Sequence, residues 1–174
     1  MSLRVLTTKS REMPLYPLMF TFRDAISGNG FLAGVTLSGR ALMVHEDDAW
    51  WIYGVRPGAI AETGETPQEA FLRFRNTYKL ALFDIAAESE NFDAFKKEAE
   101  RFYYEPDNEE ERRWTAAFQD LRSGKVQPEA PFASLPIEAP ETRPTQITVE
   151  RLDATSSTRF TPTDNVPDLY SRAA

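Results

Sequence analysis

His45, the one histidine of the chain, stands beside three acids, Glu46, Asp47 and Asp48. An imidazole next to a carboxylate is the pairing used in general base catalysis, and adjacent carboxylates can hold a hard divalent cation. Such a base also needs oriented partners, and the chain has neither a cysteine nor a second histidine. We therefore interpret His45 as a strand-end histidine and Asp47-Asp48 as a solvated turn. The sequence predicts no catalytic residue, no metal ligand and no cofactor.

An aromatic cluster is better suited to binding a partner than to catalysis. Trp50, Trp51 and Tyr53 lie in one predicted strand, where neighbouring side chains point to opposite faces. One tryptophan is expected to pack under the helices. The other is expected to face outward, where an exposed tryptophan is a candidate interface residue.

An acidic run over residues 105–111 includes three consecutive glutamates, Glu109, Glu110 and Glu111. One interpretation is a patch that meets a basic partner. The other is the first turn of a helix, where acidic side chains are stabilised by the helix dipole. The two interpretations are compatible, and both stay open at this point.

Composition narrows the classes of function. The 174 residues are 41% apolar and 12% aromatic, which is enough to bury a core. A net charge of −7 argues against direct nucleic-acid binding and favours a basic partner. No run approaches the ~18 apolar residues of a membrane span, and the N-terminus has no apolar signal core. The expected location is therefore the cytoplasm, with no membrane partner.

Alternating apolar residues over 18–55 predict a meander of antiparallel strands. The dipeptides Asn29-Gly30, Ser38-Gly39 and Asp47-Asp48 predict the turns between them, and Asn-Gly is a strong hairpin signal. A short strand over 59–62 follows. We expect about four to five strands.

Three helices are predicted after the strands. Thr66 is typical of an N-cap, Pro67 of the first helical position and Glu69 of a capping box, so a helix of about 20 residues starts here. Apolar residues at helical spacing predict two more helices, over 91–104 and 108–122.

The composition changes near Gly124. All 8 glycines lie at or before this residue, and 7 of the 12 prolines lie after it. We interpret 1–124 as the folded region and 125–174 as an extended Pro-rich tail, because the tail has few large apolar groups with which to build a core. Apolar and polar residues alternate near 145–152, a pattern that allows one added strand in the tail.

The stretch from residue 49 to about 85 resembles the HicB antitoxin family. The family pattern is a strand that ends in a Leu-Pro-Gly-like turn, a short strand, a glycine, a helix start of Thr-Pro/Leu-Glu-Glu-Ala type and an amphipathic helix. Here the matching residues are 53–58 (YGVRPG), 59–62, Gly64 and 66–71 (TPQEAF). The match covers some 40 residues, and its parts are turns and helix caps.

The resemblance implies a partial RNase H-like fold, in which a helix lies across an antiparallel sheet that lacks the catalytic acids of true nucleases. It also implies a protein that neutralises a small, basic, RNA-cleaving toxin. Many such proteins carry a C-terminal DNA-binding module. This sequence shows no helix-turn-helix there, so we expect no direct nucleic-acid binding.

The sequence thus predicts an α+β protein: an antiparallel sheet, a long helix packed on it, two further helices and a Pro-rich tail. The predicted function is non-catalytic binding of a small basic protein, with Trp50, Trp51, Tyr53, Glu109, Glu110 and Glu111 as candidate partner-binding residues. The alternative is a structural or adaptor subunit of a phage or bacterial defence assembly that docks through its tail. A homo-oligomer remains open.

Overall fold

The computed structural model describes residues 13–154, 160–162 and 170–173. They form an α+β fold, which confirms the predicted class. The strands are β1 (Tyr16–Gly28), β2 (Phe31–Glu46), β3 (Ala49–Arg56), β4 (Ala61–Gly64), β5 (Ile137–Glu138), β6 (Gln146–Arg151) and β7 (Tyr170–Ala173). The helices are α1 (Pro67–Glu88), α2 (Phe92–Tyr104) and α3 (Asn108–Arg122).

All seven strands belong to one sheet with the order β4-β3-β2-β1-β7-β5, and β6 pairs with β2. The expectation of four to five antiparallel strands is wrong, because the sheet is larger and β5 pairs with β7 in parallel. The order of elements also differs, since three strands follow the helices. These late strands are two to six residues long, and most of them are too short to be predicted from an alternation of apolar and polar residues.

The predicted turn at Ser38-Gly39 is wrong, because β2 runs through it as one strand of 16 residues. Gly39 serves a close approach instead: a Cβ there would lie 2.5 Å from the backbone oxygen of Arg56. The register shifts just afterwards, between Arg40 and Ala41. Close to this bulge the partner of β2 changes, from β6 over residues 33–38 to β3 from Arg40 onward.

The other two turns are confirmed. Asn29-Gly30 joins β1 to β2, and Asp47-Asp48 joins β2 to β3. Asp47 and Asp48 both have positive φ, 49° and 60°, as a tight two-residue hairpin requires.

Helices cover both faces of the sheet. We call the face under α1 and α2 the first face, and the face under α3 the second face. The first-face core is large and aromatic, and includes Phe20, Phe74 and Phe95. The second-face core is smaller and centres on Trp114, with Met19 and Leu42 beneath it.

The start of α1 follows the predicted chemistry. The hydroxyl of Thr66 accepts a hydrogen bond from the Glu69 backbone N–H at 3.1 Å. The carboxylate of Glu69 accepts in return from the Glu65 N–H at 2.8 Å, one residue before the cap. The helices at 91–104 and 108–122 are also present, within a residue of the predicted bounds.

The segment after Gly124, expected to be a tail, contributes to the first-face core. Phe132 is fully buried in a short 3₁₀ helix and stacks on Tyr16 with ring centroids 4.0 Å apart. Ile147 and Val149 of β6 belong to the same cluster. A Cβ on Gly34 would lie 2.6 Å from the Phe160 ring, so part of this segment also lies against β2.

Candidate partner-binding surface

The two adjacent tryptophans of β3 lie on opposite faces of the sheet. Trp50 packs against the first-face core, where its ring centroid lies 5.4 Å from that of Phe132. Its other neighbour is His45, directly across the β2–β3 ladder, with ring centroids 4.6 Å apart. Trp50 is therefore largely a packing residue, and its cover comes from a segment far along the chain.

Trp51 and Tyr53 lie on the second face, and we call this pair the aromatic row. Their rings are nearly parallel, with an interplanar angle of 13° and centroids 6.2 Å apart. Tyr53 packs against the second-face core, whereas Trp51 belongs to neither core cluster of the described residues. Both side chains are half-buried, so they present aromatic surface to solvent.

Tyr53 already holds a cation. The guanidinium of Arg113, from α3, lies 5.4 Å from the Tyr53 ring centroid, within the range of a cation–π contact. Arg113 also donates a hydrogen bond of 2.7 Å to the carboxylate of Glu110. Burial raises the pKa of Tyr53, and the nearby carboxylate of Glu46 raises it further.

The three glutamates of α3 differ in their surroundings. Glu110 pairs with Arg113, and Glu111 forms an ion pair of 3.0 Å with Arg56 of β3. Glu109 is exposed. Because they lie at the helix start, all three also complement the helix dipole. The acidic turn therefore anchors α3 to the sheet through Glu111, holds Arg113 of the same helix through Glu110, and presents Glu109 to solvent.

A groove of about 690 Å³ borders α3 on the second face. Its apolar wall includes Leu15, Val44 and Val126, and Glu46 and Arg113 are its charged members nearest the aromatic row. Val44 lies directly across the ladder from Trp51. The groove and the aromatic row are therefore adjacent parts of one surface.

The surroundings of His45 are those of a hairpin end. His45 is exposed and its ring stacks on Trp50. Asp47 and Asp48 are exposed residues of the hairpin turn. Within 13–154, 160–162 and 170–173, no group of three or more histidine, cysteine, aspartate or glutamate side chains could hold a metal ion.

Sequence reasoning missed Glu46 and Arg113 as members of this surface. Alternation along β2 could have placed Glu46 on the face of Val44, two residues away. Nothing local indicates Arg113, because its contact with Tyr53 depends on how α3 crosses the sheet. Of the six predicted residues, the structure brings Trp51, Tyr53, Glu110 and Glu111 to the second face and puts Trp50 against the first-face core.

Comparisons with protein-family models, with curated proteins and with solved structures find no match. In the part of the chain that the structure describes, no helix is both long and apolar enough to span a membrane.

Proposed function

We propose that the chain is a non-catalytic binding protein of the HicB antitoxin type, which sequesters a small, basic, RNA-cleaving protein. The observation that carries the proposal is the unit formed by β3, β4 and α1. In it the residues of the resemblance occur as a strand, a turn, a short paired strand and a capped helix laid across the sheet. We also propose that this unit is the central part of a partial RNase H-like sheet.

Close backbone approaches at two glycines support the proposal, because one of them, Gly64, is the glycine of the family pattern and the other, Gly54, lies in the matching strand. A Cβ on Gly54 would lie 2.3 Å from the backbone oxygen of Pro57. A Cβ on Gly64 would lie 2.5 Å from the backbone nitrogen of Ala70, in the first turn of α1. Backbone atoms cannot turn aside as a side chain does, so both positions require glycine.

The charge and the second face support a basic partner. The chain carries a net charge of −7. Glu46, Asp47 and Asp48 follow one another at the β2–β3 turn, and Glu109 is exposed at the start of α3. Opposite charge on a partner would steer its approach and fix its orientation, and phosphate backbones would be repelled.

A reconstituted cleavage assay tests the proposed function. The candidate is a small basic protein, sought in the reading frame beside the gene; it is purified, and its cleavage of RNA is followed as the full-length chain is added. We expect cleavage to stop near a one-to-one ratio and inhibition to weaken at high salt, because exposed charges are screened. Unchanged cleavage at a large excess of folded chain would rule the function out.

The adaptor alternative has less support. Its docking element was to be the segment after Gly124, yet β6 and β7 of that segment pair with β2 and β1 of the same chain. The segment is therefore built into the sheet of its own chain, whereas the adaptor alternative needs a tail that orders on a partner.

A further inference from the structure

We propose that Trp51 and Glu46 form a receptor for an arginine side chain of a protein partner. The inference rests on the proposed function in one respect, which is that the partner is basic. It goes further by naming the side chain that is recognised and the two residues that recognise it.

The register of the β2–β3 hairpin sets the geometry of the receptor. Three cross-strand rows follow one another on the second face: Tyr53 opposite Leu42, then Trp51 opposite Val44, then Ala49 opposite Glu46. The backbone of Glu46 therefore lies one row beyond Trp51 and diagonally beside it, at the ~7–8 Å spacing of diagonal neighbours. The residue opposite Glu46 is Ala49, whose methyl side chain is too small to cover the Trp51 ring.

The neighbouring row, that of Tyr53, already contains a bound guanidinium from the same chain. Arg113 lies over the Tyr53 ring and pairs with Glu110, so a guanidinium is held between an aromatic ring and a carboxylate. Trp51 and Glu46 repeat the aromatic ring and the carboxylate. No guanidinium of the described arginines stacks on Trp51.

The chemistry favours arginine over other ligands. A guanidinium is planar, so it can stack on an indole and donate two parallel hydrogen bonds to a carboxylate, whereas an ammonium is a point charge. Bases of single-stranded nucleic acid also stack on tryptophan, but their phosphates would meet Glu46, Asp47 and Asp48. Asp47 and Asp48 of the turn also attract a cation at longer range.

A peptide titration of the full-length chain tests the receptor. The probe is a seven-residue peptide of alternating glycine and arginine, compared with peptides that carry lysine or neutral citrulline instead. Two-dimensional NMR follows the indole N–H of Trp51 and the backbone amides. We expect the arginine peptide to shift signals of residues 44–53 and to bind about tenfold more tightly than the lysine peptide.

Matched substitutions locate the site. Trp51→Ala and the isosteric Glu46→Gln should each weaken binding of the arginine peptide about tenfold. The controls are Tyr104→Ala, an exposed aromatic residue of α2, and Glu90→Gln, an exposed acid between α1 and α2, and both should bind like the wild type. Circular dichroism verifies folding, and Glu46→Gln keeps the test valid if Trp51→Ala does not fold.

The outcomes separate this inference from the proposed function. Equal binding of the arginine and lysine peptides, or unchanged binding by Glu46→Gln, overturns the arginine receptor. If Glu46→Gln still inhibits RNA cleavage fully, the proposed function stands and the receptor is not part of it. If the arginine peptide binds selectively but cleavage is never inhibited, the receptor stands and the proposed function falls.

Discussion

Tyr78 carries a hydroxyl into the first-face core, where its side chain is 1% exposed. Its ring meets Phe22 edge to face with centroids 5.0 Å apart and stacks on Phe102 at 5.9 Å. Within the described part of the chain, this hydroxyl has no hydrogen-bond partner. A buried polar group without a partner lowers stability, because its hydration is lost and nothing replaces it.

The first prediction concerns this hydroxyl at neutral pH. Tyr78→Phe keeps the ring contacts and removes the unpaired oxygen, so we expect the free energy of unfolding to rise by about 1 kcal/mol. Urea denaturation at pH 7 measures it. A loss of stability would mean that the hydroxyl is bonded after all.

The second prediction concerns alkaline pH. Burial raises the pKa of Tyr78 far above the ordinary value near 10. Above pH 10 the unfolded chain releases this proton while the folded chain keeps it, so stability falls as pH rises. The group contributes a loss of about 1.4 kcal/mol per pH unit there. Urea denaturation between about pH 9 and 11 should show a shallower fall for Tyr78→Phe, and parallel curves would contradict the prediction.

The third prediction concerns Gly64, where an added Cβ meets helix backbone. We expect Gly64→Ala to cost about 3 kcal/mol, since α1 or β4 must shift to make room. Gly30→Ala is the control: its φ is +75° but nothing lies within 4 Å of the new Cβ, so about 1 kcal/mol is expected. Equal costs in chemical denaturation would show that the close approach is not needed.

At the scale of elements, the long strand β2 pairs with two different strands, β6 and β3, along the same edge. Residues 33–38 of β2 pair with β6, and from Arg40 onward β2 pairs with β3. Val149 of β6 is 4% exposed on the first face, whereas the adjacent Thr148 is exposed. The alternation of a strand therefore separates a core position from a surface position one residue apart.

The fourth prediction uses that alternation. Val149→Asp puts a carboxylate into the core and should cost about 3 kcal/mol, and it should free the β2 amides that face β6 to exchange with solvent. Thr148→Asp is the matched control on the same strand and should change little. Hydrogen exchange of residues 33–38 distinguishes the two, and equal protection in both variants would count against the docking of β6.

At the scale of the whole molecule, the core is shared between the regions before and after Gly124. Phe132 and Tyr170 lie in the first-face core with side chains from β1, α1 and α2. Phe132 also covers Tyr16 and Trp50. Removal of the late segment would expose these aromatic surfaces to water.

The fifth prediction follows from this sharing. A chain that ends at Gly124 should lose the cooperative unfolding transition of the full chain, because the apolar surface covered by the late strands becomes exposed. Thermal unfolding followed by near-ultraviolet circular dichroism compares the two. A truncated chain with the midpoint of the full chain would show that 1–124 folds by itself.

Local physics accounts for what could be read from the residues alone. The cap at Thr66, the turns at Asn29-Gly30 and Asp47-Asp48 and the helical spacing of apolar residues all act over a few positions, so they appear in the sequence directly. Alternation likewise predicts that Trp50 and Trp51 lie on opposite faces.

Contacts between distant residues decided the rest. Ser38-Gly39 has the residue types of a turn. In the structure Gly39 lies inside a strand, where the backbone oxygen of Arg56 leaves no space for a Cβ. Trp50 is covered because Phe132, from a distant part of the chain, packs against it. Tyr53 contacts a guanidinium because α3 crosses the sheet there and places Arg113 over its ring. Such contacts join residues that are far apart in the sequence, so they depend on the tertiary fold and no local pattern of residue types predicts them.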